Sequence, residues 1–317
     1  MRPPRRLQPG DQIGIIAPSG PVPSEELFQA KTLIERRGYR VVLGPHVLAQ
    51  HPTNNYLAGT DEERFSDLQS FLRRTDITAI FCARGGYGVQ RLYPKLTSEL
   101  FDSYPKIVAG YSDITALHLV ICHYTDWITF YSPNATSLVR LSEGKDVGME
   151  TALHCFWTML ENPQSFGLLP ASPQNIETLV SGVAEGPLAG GCLSLLSHAC
   201  GSRFQPDFRG KLVLIEDVNE PVYRVDRYLT QLLNAGILQE AAGFIVGTVT
   251  GWRKHEPEDS PNQLYALWED LLLPLGKPTI VGFPFGHEPN PLTLPLGARA
   301  RLDADAKTLT ILEPAVV

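Results

Sequence analysis

Apolar runs and helical stripes alternate along the first half of the chain. Residues 12–17 form a short apolar run, closed by the loop Pro18-Ser19-Gly20-Pro21-Val22-Pro23. Residues 25–37 carry apolar positions at helical spacing and stop near Gly38. The pattern predicts strands at 39–43, 77–82 and 106–109. It predicts helices at 61–74 and 114–124, and the opening of another at 89–92. Such alternation predicts an α/β fold with a parallel sheet covered on both faces. Ligands then sit at the carboxyl ends of the strands. The loop Arg84-Gly85-Gly86-Tyr87-Gly88 and Ser112 both fall there.

Residues 162–176 are rich in Pro, Ser and Gln and read as a linker between domains at 1–161 and 177–317. Beyond it, Gly186-Pro187-Leu188-Ala189-Gly190-Gly191 precedes a helix at 193–200. Strands are expected at 211–215, 243–249 and 279–282, and a helix at 225–233. Residues 298–312 alternate like a hairpin around 303–307. This predicts a second α/β domain with more strand toward its end.

A net charge of −7, from 27 basic and 34 acidic residues, with no basic cluster beyond Arg5-Arg6, argues against nucleic acid as a partner. No run reaches the roughly 18–20 apolar residues of a membrane helix. The apolar run after the basic opening is too short for a signal-peptide core. A cytoplasmic protein without a membrane partner is expected. The five cysteines contain no C-x-x-C pair, so free, buried thiols are expected rather than disulfides or a thiolate zinc site. His118 and His123 lie five apart on one helix, and no H-E-x-x-H occurs, so no metal is expected. The glycine loop is neither G-x-G-x-x-G nor a phosphate-binding loop with Lys, so no nucleotide cofactor is expected.

Ser112 stands two residues past Gly110, on a strand-to-helix turn of the kind that presents a nucleophile. Ser and Asp are also preferred helix caps, so the segment alone reads either way. A nucleophilic serine needs a base, and the base an orienting acid. His118 and His123 lie along the helix that Ser112 starts and do not fold back to it. His46 and His51 sit in an early loop. His287 follows a strand and Gly286 in a Pro-rich loop, where a rigid imidazole is expected, although a lone loop histidine is commonly just surface. Glu216 closes the strand at 211–215 and suits a group that holds an imidazole; a solvent-facing carboxylate is the alternative. Asp217 points the other way. An oxyanion needs N–H donors, available from Asp113 and from a glycine of the 84–88 loop.

Six motifs in order carry a resemblance. They are Ala83-Arg84-Gly85-Gly86-Tyr87-Gly88, Gly110-Tyr111-Ser112-Asp113-Ile114-Thr115-Ala116-Leu117, Leu188-Ala189-Gly190-Gly191, Leu214-Ile215-Glu216-Asp217-Val218, Tyr223-Arg224-Val225-Asp226-Arg227 and Gly282-Phe283-Pro284-Phe285-Gly286-His287. Together, across nearly the whole chain, they resemble the L,D-carboxypeptidase family of serine peptidases, whose other branch is the microcin C self-immunity peptidases. The resemblance implies an N-terminal flavodoxin- or Rossmann-like domain, a C-terminal swivelling α/β domain, a site between them and a homodimer. It implies a triad of Ser112 as nucleophile, Glu216 as acid and His287 as base, without metal. The implied reaction cleaves the bond between an L-centre and a C-terminal D-amino acid. The usual substrate is the cytoplasmic murein tetrapeptide, which loses D-alanine in cell-wall recycling. On that reading the N–H groups of Asp113 and Gly86 hold the oxyanion, with Gly85 the alternative donor. Arg84, by position, meets the substrate's carboxylate. Many relatives read His-Gly-Pro where this chain has Tyr131-Ser132-Pro133, and Asn where it has Cys192. Three other readings stand beside it: an α/β-hydrolase esterase, which would want Gly where the chain has Ile114; a peptide–nucleotide immunity peptidase; and a non-catalytic two-lobed binder of small molecules.

Overall fold

The computed structural model describes residues 1–255 and 262–317. They form two compact units. The first comprises Met1–Gln164, Thr293–Gly297 and Pro314–Val317. Its strands β1 (Gln12–Ile16), β2 (Arg40–Leu43), β3 (Ile77–Cys82), β4 (Ile107–Gly110) and β5 (Thr129–Tyr131) run parallel in the order 2-1-3-4-5. That order is flavodoxin-like, and its crevice opens where the order reverses between β1 and β3. Every residue of β4, and all but Thr78 of β3, is buried. A parallel sheet covered on both faces leaves no polar side to its central strands, hence the unbroken apolar runs.

Helices α1 (Ser24–Arg36), α2 (Asp61–Arg73), α3 (Thr115–Tyr124), α4 (Ala135–Ser142) and α5 (Val147–Glu161) belong to this unit. The start of α2 is written in the sequence. Thr60 Oγ1 accepts the Glu63 N–H at 3.2 Å, and Glu63 Oε2 accepts the Thr60 N–H at 2.7 Å, a reciprocal capping box. The helix expected at 89–92 is instead a 3-10 turn, Val89–Lys95, that contains Pro94. A proline there has no N–H to carry an α-helical ladder onward. Among the elements without a clear sequence signal, β5 has three residues and α4 eight, too short for a period to declare itself.

The second unit comprises Ser165–Leu292 and Ala298–Glu313. It holds β6 (Gly167–Leu168), β7 (Glu177–Val180), β8 (Val183–Cys192), β9 (Leu212–Val218), β10 (Gly243–Thr250) and β11 (Thr279–Val281). The next strand, β12 (Leu294–Leu296), belongs to the first unit and pairs antiparallel with β5. The chain then supplies β13 (Arg299–Asp303) and β14 (Thr308–Ile311) to the second unit, the hairpin expected from alternation. β8 serves two partners. Its first half pairs antiparallel with β13, and its second half, Leu188–Cys192, pairs parallel with β9. The helices are α6 (Leu193–His198), α7 (Val222–Asn234) and α8 (Gln263–Leu271). α7 buries Val222, Val225, Leu229 and Leu232, one stripe at helical spacing. β9 runs on to Val218, so Glu216 and Asp217 lie inside the strand rather than at its edge, both buried.

Of the cysteines, Cys82, Cys155 and Cys192 are buried, whereas Cys122 is exposed near the end of α3. Among the described residues no helix is long and apolar enough to cross a membrane.

The capping box gives a direct test. Thr60→Ala removes the acceptor for the Glu63 N–H and should cost about 1 kcal/mol, read as a lower urea midpoint. Thr60→Ser should restore most of it.

Candidate active site

In the first unit, Ser112 follows β4 with a φ of 66°, a left-handed backbone in a residue that carries a Cβ. Such a conformation costs roughly 1–3 kcal/mol and persists where surrounding structure enforces it. Ser112 begins a 3-10 turn, Ser112–Ile114, that runs into α3. The cap of that turn is Tyr111, in extended conformation, and it makes no side-chain capping bond. Ser112 is therefore not the cap. The glycine loop after β3 closes on it. A methyl group on Gly85 would lie 2.7 Å from Ser112 Cβ and 2.9 Å from its Oγ, so only glycine fits. Gly20 donates its N–H to the Gly85 carbonyl at 3.1 Å, tying in the loop after β1.

Asp113 is buried, and its carboxylate faces away from solvent into these loops. Its Oδ2 accepts from Ser19 Oγ at 2.7 Å and from the Val89 N–H at 2.9 Å. Burial pushes the carboxyl up to about 6, opposed by the Val89 N–H, Ser19, the Arg64 charge and the Gly88 N–H. Arg64, itself buried, donates from Nη1 to Pro18 O at 2.6 Å and to Gly88 O at 2.8 Å, and pairs through Nη2 with Asp61. The sequence carried a signal for this that the strand-and-motif reading passed over. Arg64, Asp67, Leu68, Phe71 and Leu72 share the buried stripe of α2, two charged residues on an apolar face.

In the second unit, Glu216 Oε2 accepts from His287 Nδ1 at 2.7 Å and from the His287 backbone N–H at 3.1 Å. Nδ1 therefore carries the proton, which leaves Nε2 as the basic atom of the neutral ring. Glu216 has no exposed surface, and the His287 side chain is 13% exposed. Gly286, with φ 77°, is required here. A methyl group on it would lie 2.3 Å from the Glu216 carboxyl carbon. Burial lowers the pKa of His287, but Glu216, by charge and hydrogen bond, and Asp217, by charge, outweigh it. The net pKa is raised above the ordinary 6.5. Asp217 points to the opposite side of β9, as strand alternation requires. It accepts the Ser194 N–H at 2.8 Å and the Val218 N–H at 2.8 Å, and lies 3.5 Å from Cys192 Sγ. Burial and the neighbouring Glu216 push its carboxyl up to about 6. Thr250 Oγ1 donates to the His287 carbonyl at 3.1 Å, fixing the loop from β10.

The structure thus gathers Ser112, Asp113 and Gly85 in the first unit, and Glu216 with His287 in the second. Gly86, with φ 115°, packs against Gly20. Arg84 is exposed, with Nη1 3.3 Å from the Pro21 carbonyl. The other early histidines have structural partners. His46 is held by Asp67 at 2.8 Å, and His51 Nδ1 accepts the Asn54 N–H at 3.0 Å. Among the described residues no group of three or more His, Cys, Asp or Glu is placed to hold a metal.

The LD-carboxypeptidase N-terminal domain matches residues 13–132, and the C-terminal domain of the same family matches residues 185–302. A Streptomyces coelicolor protein with a provisional carboxypeptidase name is 39% identical over 99% of this chain and 97% of its own. A Bacillus subtilis protein named probable murein peptide carboxypeptidase is 36% identical over 97% of this chain and 93% of its own. Among solved structures, the microcin C7 self-immunity protein aligns with a TM-score of 0.87 at 27% identity, over the whole of both chains. The muramoyltetrapeptide carboxypeptidase of Oxalobacter formigenes aligns with a TM-score of 0.76 at 27% identity, over 96% of this chain and 99% of its own.

The Glu216–His287 pair makes its own prediction. Glu216→Gln keeps the burial and removes the charge, so the His287 imidazole should titrate below its wild-type value by NMR. In the wild type, a raised folded pKa means the pair's stabilisation is complete below the unfolded pKa and is lost as pH rises through the folded one. Glu216→Gln should therefore cost more stability in acid than in base.

Proposed function

Because the chain belongs to the LD-carboxypeptidase family, we propose that this serine-type carboxypeptidase works through Ser112, His287 and Glu216. The observation that carries the reading is the Glu216–His287 contact of 2.7 Å through Nδ1, which makes Nε2 the ring nitrogen able to accept a proton. His287 Nε2 takes the Ser112 hydroxyl proton as Oγ bonds to the scissile carbonyl carbon. The oxyanion is met by the backbone N–H groups of Asp113 and Gly86, with Gly85 the alternative donor. Glu216 orients the ring and stabilises its charged form. His287 then gives the proton to the leaving amine as the C–N bond breaks. Water, deprotonated by His287, releases the acyl group from Ser112. Arg84 receives the substrate's terminal carboxylate, a role that suits a guanidinium with an exposed fork.

The substrate we propose is the murein tetrapeptide, from which D-alanine is released during cell-wall recycling, by an enzyme that is a cytoplasmic homodimer. Relatives named for murein peptides support this, the Bacillus subtilis protein at 36% identity among them. A second reading, cleavage of an aminoacyl-nucleotide conjugate, is favoured by the higher TM-score to the microcin C7 self-immunity protein, 0.87 against 0.76. Incubation with murein tetrapeptide separates them. Free D-alanine is the expected product, and cleavage of an aminoacyl sulfamoyl nucleoside without D-alanine release would reverse the choice.

Ser112→Ala should abolish turnover with an unchanged melting temperature; wild-type activity in that variant would remove the nucleophile assignment. The base must be neutral to accept a proton. The acid limb of kcat/KM should therefore have its midpoint above 6.5, in the direction Glu216 moves His287. A midpoint well below 6.5 would contradict His287 as the base.

A further inference from the structure

Peptide groups of the turn that carries Ser112 are met by side chains as well as by backbone: the Gly110 carbonyl accepts the Ser132 N–H at 3.3 Å and a side-chain N–H besides. The first N–H groups of a helix have no partner within it, and Ser112 opens a turn in left-handed conformation. Three buried side chains serve these groups. Tyr131 Oη accepts the Ser112 N–H at 3.3 Å. Asn134 Oδ1 accepts the Tyr111 N–H at 3.3 Å. His118 Nε2 donates to the Gly110 carbonyl at 3.0 Å. None of the three is more than 3% exposed. They come from different elements: β5, the β5–α4 junction and α3.

Each is suited to a single role. Burial lowers the pKa of His118 to about 4, so the ring is neutral at physiological pH. With a carbonyl as its partner, Nε2 must carry the proton. Tyr131 has no exposed surface, its ring packs edge-on against Tyr111 at 6.3 Å, and it lies 6.1 Å from the His118 ring. The phenol oxygen is thereby fixed before the serine arrives at it.

We propose that Tyr131 is a positioning residue for the nucleophile, holding Ser112 in its left-handed conformation through the serine N–H, with Asn134 and His118 fixing the N–H and the carbonyl of the Gly110–Tyr111 peptide group before it. This rests on Ser112 being the nucleophile. Without the phenol, this hydrogen bond to the Ser112 N–H is lost and the turn is held less firmly against relaxing toward an ordinary helical start. The hydroxyl then spends less time in attacking geometry, while substrate contacts made elsewhere are untouched.

The test is Tyr131→Phe in the full-length protein, with murein tetrapeptide turnover and phosphonate labelling of Ser112 measured together. One hydrogen bond of ordinary strength corresponds to a loss on the order of tenfold. The expected result is a kcat reduced by about that factor, KM within about twofold, labelling slowed in parallel, and the acid limb of the pH profile unmoved. Wild-type kcat and labelling rates in a folded Tyr131→Phe protein would overturn the proposal. A pair at His118 covers a variant that fails to fold. His118→Gln retains an N–H for the Gly110 carbonyl and should keep activity, whereas His118→Leu should lose it in the kcat-selective way described; equal rates in the two would overturn the proposal. Failure of the nucleophile reading looks different, because Ser112 in the wild type would then resist the phosphonate altogether.

Discussion

A carboxylate with no access to water organises the first unit. Asp113 sits next to the serine, at the point where the loops after β1, β3 and β4 meet. Buried and ionised, such a group would cost several kcal/mol unless hydrogen bonds and charge met it. The Ser19 hydroxyl and the Val89 N–H, from the loops after β1 and β3, meet it together with the Arg64 charge from α2. Arg64 closes the arrangement by donating to carbonyls on two of the same loops. The loops are thus not independent. Each is held by groups whose own satisfaction depends on the others.

The second unit meets the same problem twice on consecutive residues. Strand alternation sends Glu216 and Asp217 to opposite sides of β9, and each must be satisfied separately. Asp217 receives backbone N–H groups at the start of α6 and from its own strand, an anchoring role. Glu216 receives an imidazole Nδ1–H and that residue's own backbone N–H, a role that fixes which ring nitrogen carries the proton. Two adjacent acids in one strand are thus given different partners by the pleat, backbone N–H groups for Asp217 and an imidazole for Glu216.

Much of this was legible in the chain. The apolar runs at 77–82 and 106–109 stand out because a doubly covered sheet tolerates no polar side. The capping box at Thr60 and the hairpin near the end also wrote themselves locally. The positions of Ser112 and Glu216 stood out because each follows or sits in an apolar strand, and His287 because it closes a Gly- and Pro-rich loop after the short β11. What escaped was set by contacts distant in sequence. The extension of β9 through two acids contradicts any rule that ends a strand at its first charge; only the partners from α6 and the His287 loop make it possible. Arg64 lies on an apolar stripe whose meaning depends on loops 46 and 24 residues away. Tyr131 and Asn134 belong to short elements, and their purpose is visible only once β5 lies beside β4.

The return of β12 to the first sheet, and of Pro314–Val317 to the first unit, has a consequence for biosynthesis. Val317 donates its N–H to Pro4 O at 2.9 Å and accepts that of Arg6 at 2.8 Å. The unit holding Ser112 is therefore completed by residues made late: β12 after Ser165–Leu292, and Pro314–Val317 after all of the second unit. During translation the unit that carries Ser112 waits, incomplete, while the one that carries His287 is made. A nascent chain short of residue 293 has a sheet with the outer edge of β5 still open.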